Sequence, residues 1–203
     1  LGGQTHRGAC SIGATLFGRG RPAAAELLKQ ADIAMYQVKA ERGNALCFFD
    51  PQMQVDINQR ARLEADLQAA LTEDQFVLHY QPQYTLSGQL VGAEALLRWQ
   101  HPERGLLAPG EFIGAAEDCG LIVPLGLWVL RAACHQLAAW QGDARCAALQ
   151  LSVNVSARQF RQPDFAQQVV AVVQQTAARA HLLTLELTES LLMEHAGGTF
   201  SLL

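Results

Sequence analysis

The chain has 203 residues, half of them hydrophobic and 17% charged, with a formal net charge of −4. That is an ordinary globular composition with enough apolar residues for one good core, and the mild acidity without blocks of like charge argues against a surface that coats nucleic acid. No uninterrupted apolar run reaches the length of a membrane span and no signal peptide opens the chain, so a cytoplasmic protein is expected, with any membrane anchor outside these residues. The five cysteines (Cys10, Cys47, Cys119, Cys134, Cys146) are dispersed without a CxxC. They read as reduced, partly buried thiols. The chain opens without Met and in mid-pattern, so a piece of something longer is expected.

In chain order, residues 9–17 alternate as a strand, with Ile12, Ala14 and Leu16 against Ser11, Gly13 and Thr15. A turn at 18–22 leads to a helix over 23–42 with Leu27, Ala31, Ala34, Met35 and Val38 on one stripe, capped by Gly43. Residues 44–49 form a short closing strand. Asp50-Pro51 starts a second helix, with Asp as N-cap and Pro at the first helical position. It runs to about Leu71 through Met53, Ile57, Leu63 and Leu67, and is expected to link two units as a passive spacer or a signalling lever.

Residues 76–83 read as a strand with Phe76, Leu78 and Tyr80 opposed to Val77, His79, Gln81 and Gln83. Ser87-Gly88 turns the chain into an antiparallel partner, residues 90–99. There Val91, Ala93, Ala95 and Leu97 share one face, and Glu94 and Arg98 lie on the other. A carboxylate and a guanidinium on an inward face are costly unless paired or used, so an ion pair and a functional site both fit. Residues 149–156 set Leu149, Leu151, Val153 and Val155 against Ser152, Asn154 and Ser156. Residues 183–189 set Leu183, Leu185 and Leu187 against Thr184, Glu186 and Thr188.

Between these strands lie a short helix at about 111–118, a longer one from Pro124 with Leu127, Leu130, Cys134 and Leu137 on a stripe, and one from Pro163 to about Ala178 with Phe165, Val169 and Val173 facing the sheet. His135 is expected at the surface, and Trp128 and Trp140 as packing. Alternating strands and helices imply parallel neighbours and an α/β fold, specifically a barrel with helices outside and a hydrophilic mouth. Glu94, Asn154 and Glu186 would then converge as hard oxygen ligands suited to Mg²⁺ or Mn²⁺. A GxGxxG, a P-loop, a zinc-binding pair of histidines and a nucleophile elbow are all missing.

Glu94-Ala95-Leu96-Leu97-Arg98-Trp99, then His101-Pro102, Gly105, Pro109, Phe112-Ile113 and Glu117, resemble the opening of an EAL domain. Asn154-Val155-Ser156 and Glu186-Leu187-Thr188-Glu189-Ser190 match its next two motifs in order, so the resemblance covers about residues 64–195. It implies a modified (β/α)₈ barrel that hydrolyses cyclic-di-GMP to the linear dinucleotide pGpG with two divalent cations. On that resemblance Glu94, Asn154 and Glu186 are metal ligands, Gln81 and Arg98 hold the substrate, and Glu189 steadies a loop carrying further ligands. Ser11-Ile12-Gly13 and Ala31-Asp32-Ile33-Ala34-Met35-Tyr36 with Lys39 resemble the C-terminal third of a GGDEF, or diguanylate cyclase, domain without its signature loop.

The implied organisation is a GGDEF remnant at 1–50, a linker helix at 51–71 and the N-terminal half of an EAL barrel at 72–203. A homodimer through the EAL unit or the linker helix of the longer protein is the implied association. The family's adjacent Asp-Asp pair does not occur, and the only lysines are Lys29 and Lys39, so no catalytic base is identified. Two readings therefore stand: a fragment of a cyclic-di-GMP phosphodiesterase, inactive by itself, and a degenerate module that binds the nucleotide or a partner protein without hydrolysing it.

Overall fold

Alternation of apolar and polar residues sets the strands of this chain, and its hydrophobic core gathers in residues from Leu63 onward. The structure, a computed structural model, describes residues 10–18, 23–40 and 44–187. The chain falls into two compact units, residues 1–62 and 63–203.

In the first unit, β1 (Ile12–Ala14) pairs in parallel with β2 (Leu46–Phe48), and helix α1 (Ala24–Ala40) lies between them in sequence. Ala34 and Val38 of the expected stripe are buried. Gly13 is required by contact, because a Cβ there would come within 1.9 Å of the Ala31 carbonyl oxygen on α1. The strand is shorter than the alternation predicts: its partner is three residues long, and Leu16 and Phe17 are exposed. The turn at 19–22 and the Gly43 cap lie outside the described residues.

Helix α2 (Pro51–Thr72) starts as expected, with Asp50 Oδ1 accepting from the Gln52 N–H at 2.8 Å. Ile57 is exposed, whereas Leu67 is buried and Leu63 and Leu71 pack beside it in the core of the second unit.

The second unit is a five-stranded sheet with helices on one face. Its order is β3 (Phe76–Tyr84), β4 (Leu90–His101), β6 (Gln150–Val155), β7 (Leu183–Leu187), with β5 (Gly105–Leu107) also paired to β4. β3 and β4 form the expected antiparallel hairpin around Gly88, at φ 81°. β4, β6 and β7 run parallel, as the alternation with helices requires. Helices α3 (Ile113–Cys119), α4 (Ile122–Trp140), α5 (Ala157–Phe160) and α6 (Phe165–Thr176) fill the connections. Ala93, Ala95, Leu97 and Trp99 of β4 and Leu151 and Val153 of β6 meet Leu125, Val129, Ala133 and Leu137 of α4 in one core. Trp99 is fully buried, with ring centroids 5.7 Å from Phe76 and 5.5 Å from Phe112, and its indole N–H donates to Gln75 Oε1 at 3.0 Å.

Two expectations are corrected. Helix α4 begins at Ile122, since Pro124 fits within a first turn whose N–H groups have no intrahelical acceptor anyway; Leu130, Cys134 and Leu137 of the expected stripe are buried, joined by Leu125, Val129 and Ala133, while Leu127 is only partly covered. The helix expected from Pro163 begins at Phe165; Val169 and Val173 pack against the core as expected, with Val172 buried between them, and α5 occupies part of the preceding stretch. Helix α4 is also long and apolar enough to cross a membrane by length and composition, with mean hydropathy 1.3, although Arg131 interrupts its apolar run. Its seven buried residues, packed beneath the sheet, give it the placement of a core helix. His135 is exposed, while Trp128 and Trp140 pack on Phe76 and Tyr80 as expected.

Candidate functional site

The face of the sheet away from the helices is polar, and the strand registers fix which side chains share a row. Gln81 on β3 stands opposite Glu94 on β4, and Glu94 stands beside Ser152 on β6. One row further along, Asn154 on β6 stands beside Glu186 on β7. Residues paired across neighbouring strands point to the same side of a sheet. Gln81, Glu94, Asn154 and Glu186 are therefore brought onto one surface from four strands, and Arg98 lies on the same face of β4, four residues beyond Glu94.

Glu94 Oε1 accepts from Asn154 Nδ2 at 2.6 Å, which joins the two residues directly. Glu94, Arg98 and Glu186 are half-buried, and Gln81 and Asn154 are exposed. The alternative of a Glu94–Arg98 ion pair does not hold: the Arg98 guanidinium turns back to donate to the Leu97 carbonyl at 2.8 Å. Among the described residues Glu94 thus has an amide partner and no cationic one. Glu189 lies outside the described residues.

Two carboxylates and a primary amide on one surface fit part of the shell of a hard divalent cation. Among the described residues no group of three or more His, Cys, Asp or Glu side chains that could hold a metal occurs, so the third oxygen on this surface is the amide of Asn154. Gln81 and Arg98 add an amide and a planar fork of donors on the same surface, the kind that phosphate oxygens take.

Beside this surface the sheet opens. Pairing of β4 with β6 ends at Ala95 with Val153, and β5 takes up the β4 edge only from Trp99 onward. Between those points lies a cavity of about 360 Å³, lined by Leu96, Pro109, Ile113, Glu117, Asn154 and Ser156 among others. Its walls are mostly apolar, and Asn154 and Leu96 join it to the polar face. Sequence alternation could not show it, because it arises where two strands part. A second feature went unread although the signal was present: Ser156-Ala157-Arg158-Gln159 has the spacing of a capping box, and Ser156 and Gln159 form one at the start of α5.

The EAL domain family matches residues 64–199. The bifunctional diguanylate cyclase/cyclic di-GMP phosphodiesterase MucR of Pseudomonas aeruginosa is 40% identical over 195 residues, covering 95% of this chain and 28% of that protein. The cyclic di-GMP phosphodiesterase PdeR of Escherichia coli is 38% identical over 186 residues, 92% of this chain and 28% of its own length. The chain thus spans little more than a quarter of these curated relatives. Among solved structures, the PaMucR phosphodiesterase in its c-di-GMP complex superposes with a TM-score of 0.62 at 42% identity, covering 66% of this chain and 55% of that one. The Xanthomonas citri FimX EAL domain in complex with c-diGMP gives 0.61 at 25% identity, covering 70% and 55%. With that family's model matching more than half of the chain, the chain belongs to the EAL domain family.

Proposed function

We propose that this chain carries the first four strands of the barrel of a cyclic-di-GMP phosphodiesterase, with Glu94, Asn154 and Glu186 as ligands to Mg²⁺ or Mn²⁺ and Gln81 and Arg98 as substrate contacts. The observation that carries the reading is the convergence of four motif residues from four strands on one polar surface, with Glu94 and Asn154 joined at 2.6 Å. A pair of divalent cations, when bound, would acidify a water and neutralise charge on the phosphodiester. The chain's own residues present oxygen donors for them, place a guanidinium for a phosphate oxygen, and offer an apolar cavity large enough for the flat face of a base. On the resemblance, Glu189 would steady a segment carrying further ligands.

The first unit is read as the end of a GGDEF domain without cyclase chemistry, spanning residues 1–50, with 51–71 as the linker helix and 72–203 as EAL barrel. Its support is the Ser11-Ile12-Gly13 and Ala31 to Tyr36 motifs, and a similarity to the bifunctional MucR that covers 95% of the chain and so extends ahead of residue 64. The whole protein is read as cytoplasmic in these parts and as a homodimer through its EAL unit or linker helix.

A second reading is a module that binds the nucleotide or a partner protein without hydrolysing it. Equilibrium dialysis of labelled cyclic-di-GMP against the chain in Mg²⁺, followed by chromatography for pGpG, tests both. Binding that falls in Arg98→Ala, without turnover, is the expected result. Robust turnover that vanishes in Glu94→Ala would refute the inactivity of the isolated chain, and no binding in any form would refute the assignment of the surface.

A further inference from the structure

The turn after β6 is held more firmly than a four-residue helix needs for its own sake. Ser156 Oγ accepts from the Gln159 N–H at 3.2 Å, while Gln159 Oε1 accepts from the Ser156 N–H at 3.2 Å and from its hydroxyl at 3.0 Å. Capping boxes commonly face water, but Gln159 is only 7% exposed. Its carboxamide is seated on α4 at Gly126, where a Cβ would come within 1.6 Å of Gln159 Nε2. The adjoining Arg158 donates to the Glu117 carbonyl at the end of α3. The turn is thereby fixed to two helices of the core.

What this fixes lies two residues upstream. Asn154 is past the last pairing of β6 with β4, so on that side it borders the cavity rather than a strand. Its amide meets Glu94, which lies within the paired stretch beside Ser152, diagonally at 2.6 Å. Backbone pairing with β7 restrains one edge of the strand end, and the capping box is the next restraint along the chain.

We propose that Gln159 is a positioning residue for Asn154: seated on Gly126, it holds the end of β6 at the distance from β4 that lets the Asn154 amide meet Glu94. The consequence for cation binding rests on the site reading above, but the geometry can be tested without any cation. Gln159→Met keeps the volume and removes the acceptor, Gln159→Glu restores it, and Gly126→Ala leaves residue 159 intact but takes away its seat.

The experiment uses the ¹⁵N-labelled 203-residue chain, with the Asn154 side-chain amide assigned by its loss in Asn154→Ala. That amide should carry the shift of a hydrogen-bonded group, move to the free-amide position in Gln159→Met and Gly126→Ala, and stay in place in Gln159→Glu, with melts showing each variant folded. Mn²⁺ affinity should fall about 10- to 100-fold in Gln159→Met, as for residues that orient a ligand without touching the ion. An Asn154 amide unmoved in folded Gln159→Met overturns the proposal. Should that variant not fold, an amide unmoved in Gly126→Ala overturns it equally. If the amide moves but Asn154→Ala binds Mn²⁺ as the wild type does, Gln159 still positions Asn154 and it is the assignment of Asn154 as a ligand that fails.

Discussion

The two faces of β4 are made by alternate residues of one strand, yet they obey different rules. Ala93, Ala95, Leu97 and Trp99 are buried against helices, and their identities are those that packing demands. Glu94, Leu96 and Arg98, interleaved with them, are half-exposed and contribute little that a sheet needs. A strand stabilised by its first face can place costly groups on its second, because the core keeps the backbone fixed whatever the open face carries. Stability and function are thereby separated by a period of two.

The sharpest way to break this comparison is to truncate neighbours on opposite faces. Trp99→Ala should destabilise the second unit by about 3–5 kcal/mol, through lost burial and the void left behind, and should lower the urea midpoint accordingly. Arg98→Ala, one residue away, should cost less than about 1 kcal/mol, in the range of substitutions clear of the core. Equal losses from the two would remove the distinction between the faces.

An intermediate effect is expected at the end of the strand, where a core-side residue is polar. His101 is buried, its ring lies 4.9 Å from that of Trp99, and its Nδ1 accepts from the backbone N–H groups of Glu103 and Arg104 at 3.1 and 3.2 Å. With Nδ1 accepting, Nε2 carries the proton and faces Asp66 at 3.4 Å. His101→Leu keeps the bulk but strands those donors, at a cost of about 1–3 kcal/mol. A melt unchanged in that variant would show that water replaces the ring.

The smallest effect belongs to a surface pair outside both faces. Bonds from the Arg145 side chain and then its backbone hold the Asp143 carboxyl below the usual carboxylate range. A depressed folded value means any stabilisation is fully present above the ordinary carboxylate range and is lost as the pH falls below it, through the depressed folded value. The group is fully exposed and screened by salt. Asp143→Ala should therefore leave the pH dependence of the melt nearly unchanged, and a clear loss of its acid limb would assign the pair a structural role.

Much of this was legible in the residues because alternation states both faces of a strand at once. The β3–β4 hairpin, the parallel order of β4, β6 and β7, and the surface shared by Gln81, Glu94, Asn154 and Glu186 follow from that pattern with the motifs. β5 was missed because three residues cannot show alternation, although the short loop ending in Gly105, at φ 73°, is a hairpin signal. Helix α4 starts before its proline because Pro124 stands inside the first turn, where a missing N–H costs nothing. The cavity and the seat of Gln159 on Gly126 are products of tertiary packing, where strands diverge and a helix glycine meets a side chain from another element. No local period records such a meeting.

The account stands or falls on whether the open face is a cation site. Mn²⁺ titration of the 203-residue chain, followed by the loss of free-ion EPR signal, should give binding that drops at least tenfold in Glu94→Gln and in Glu186→Gln, while Glu103→Gln, off the sheet face, binds as the wild type does. Equal Mn²⁺ binding by all four proteins would contradict the assignment of Glu94 and Glu186 to one site.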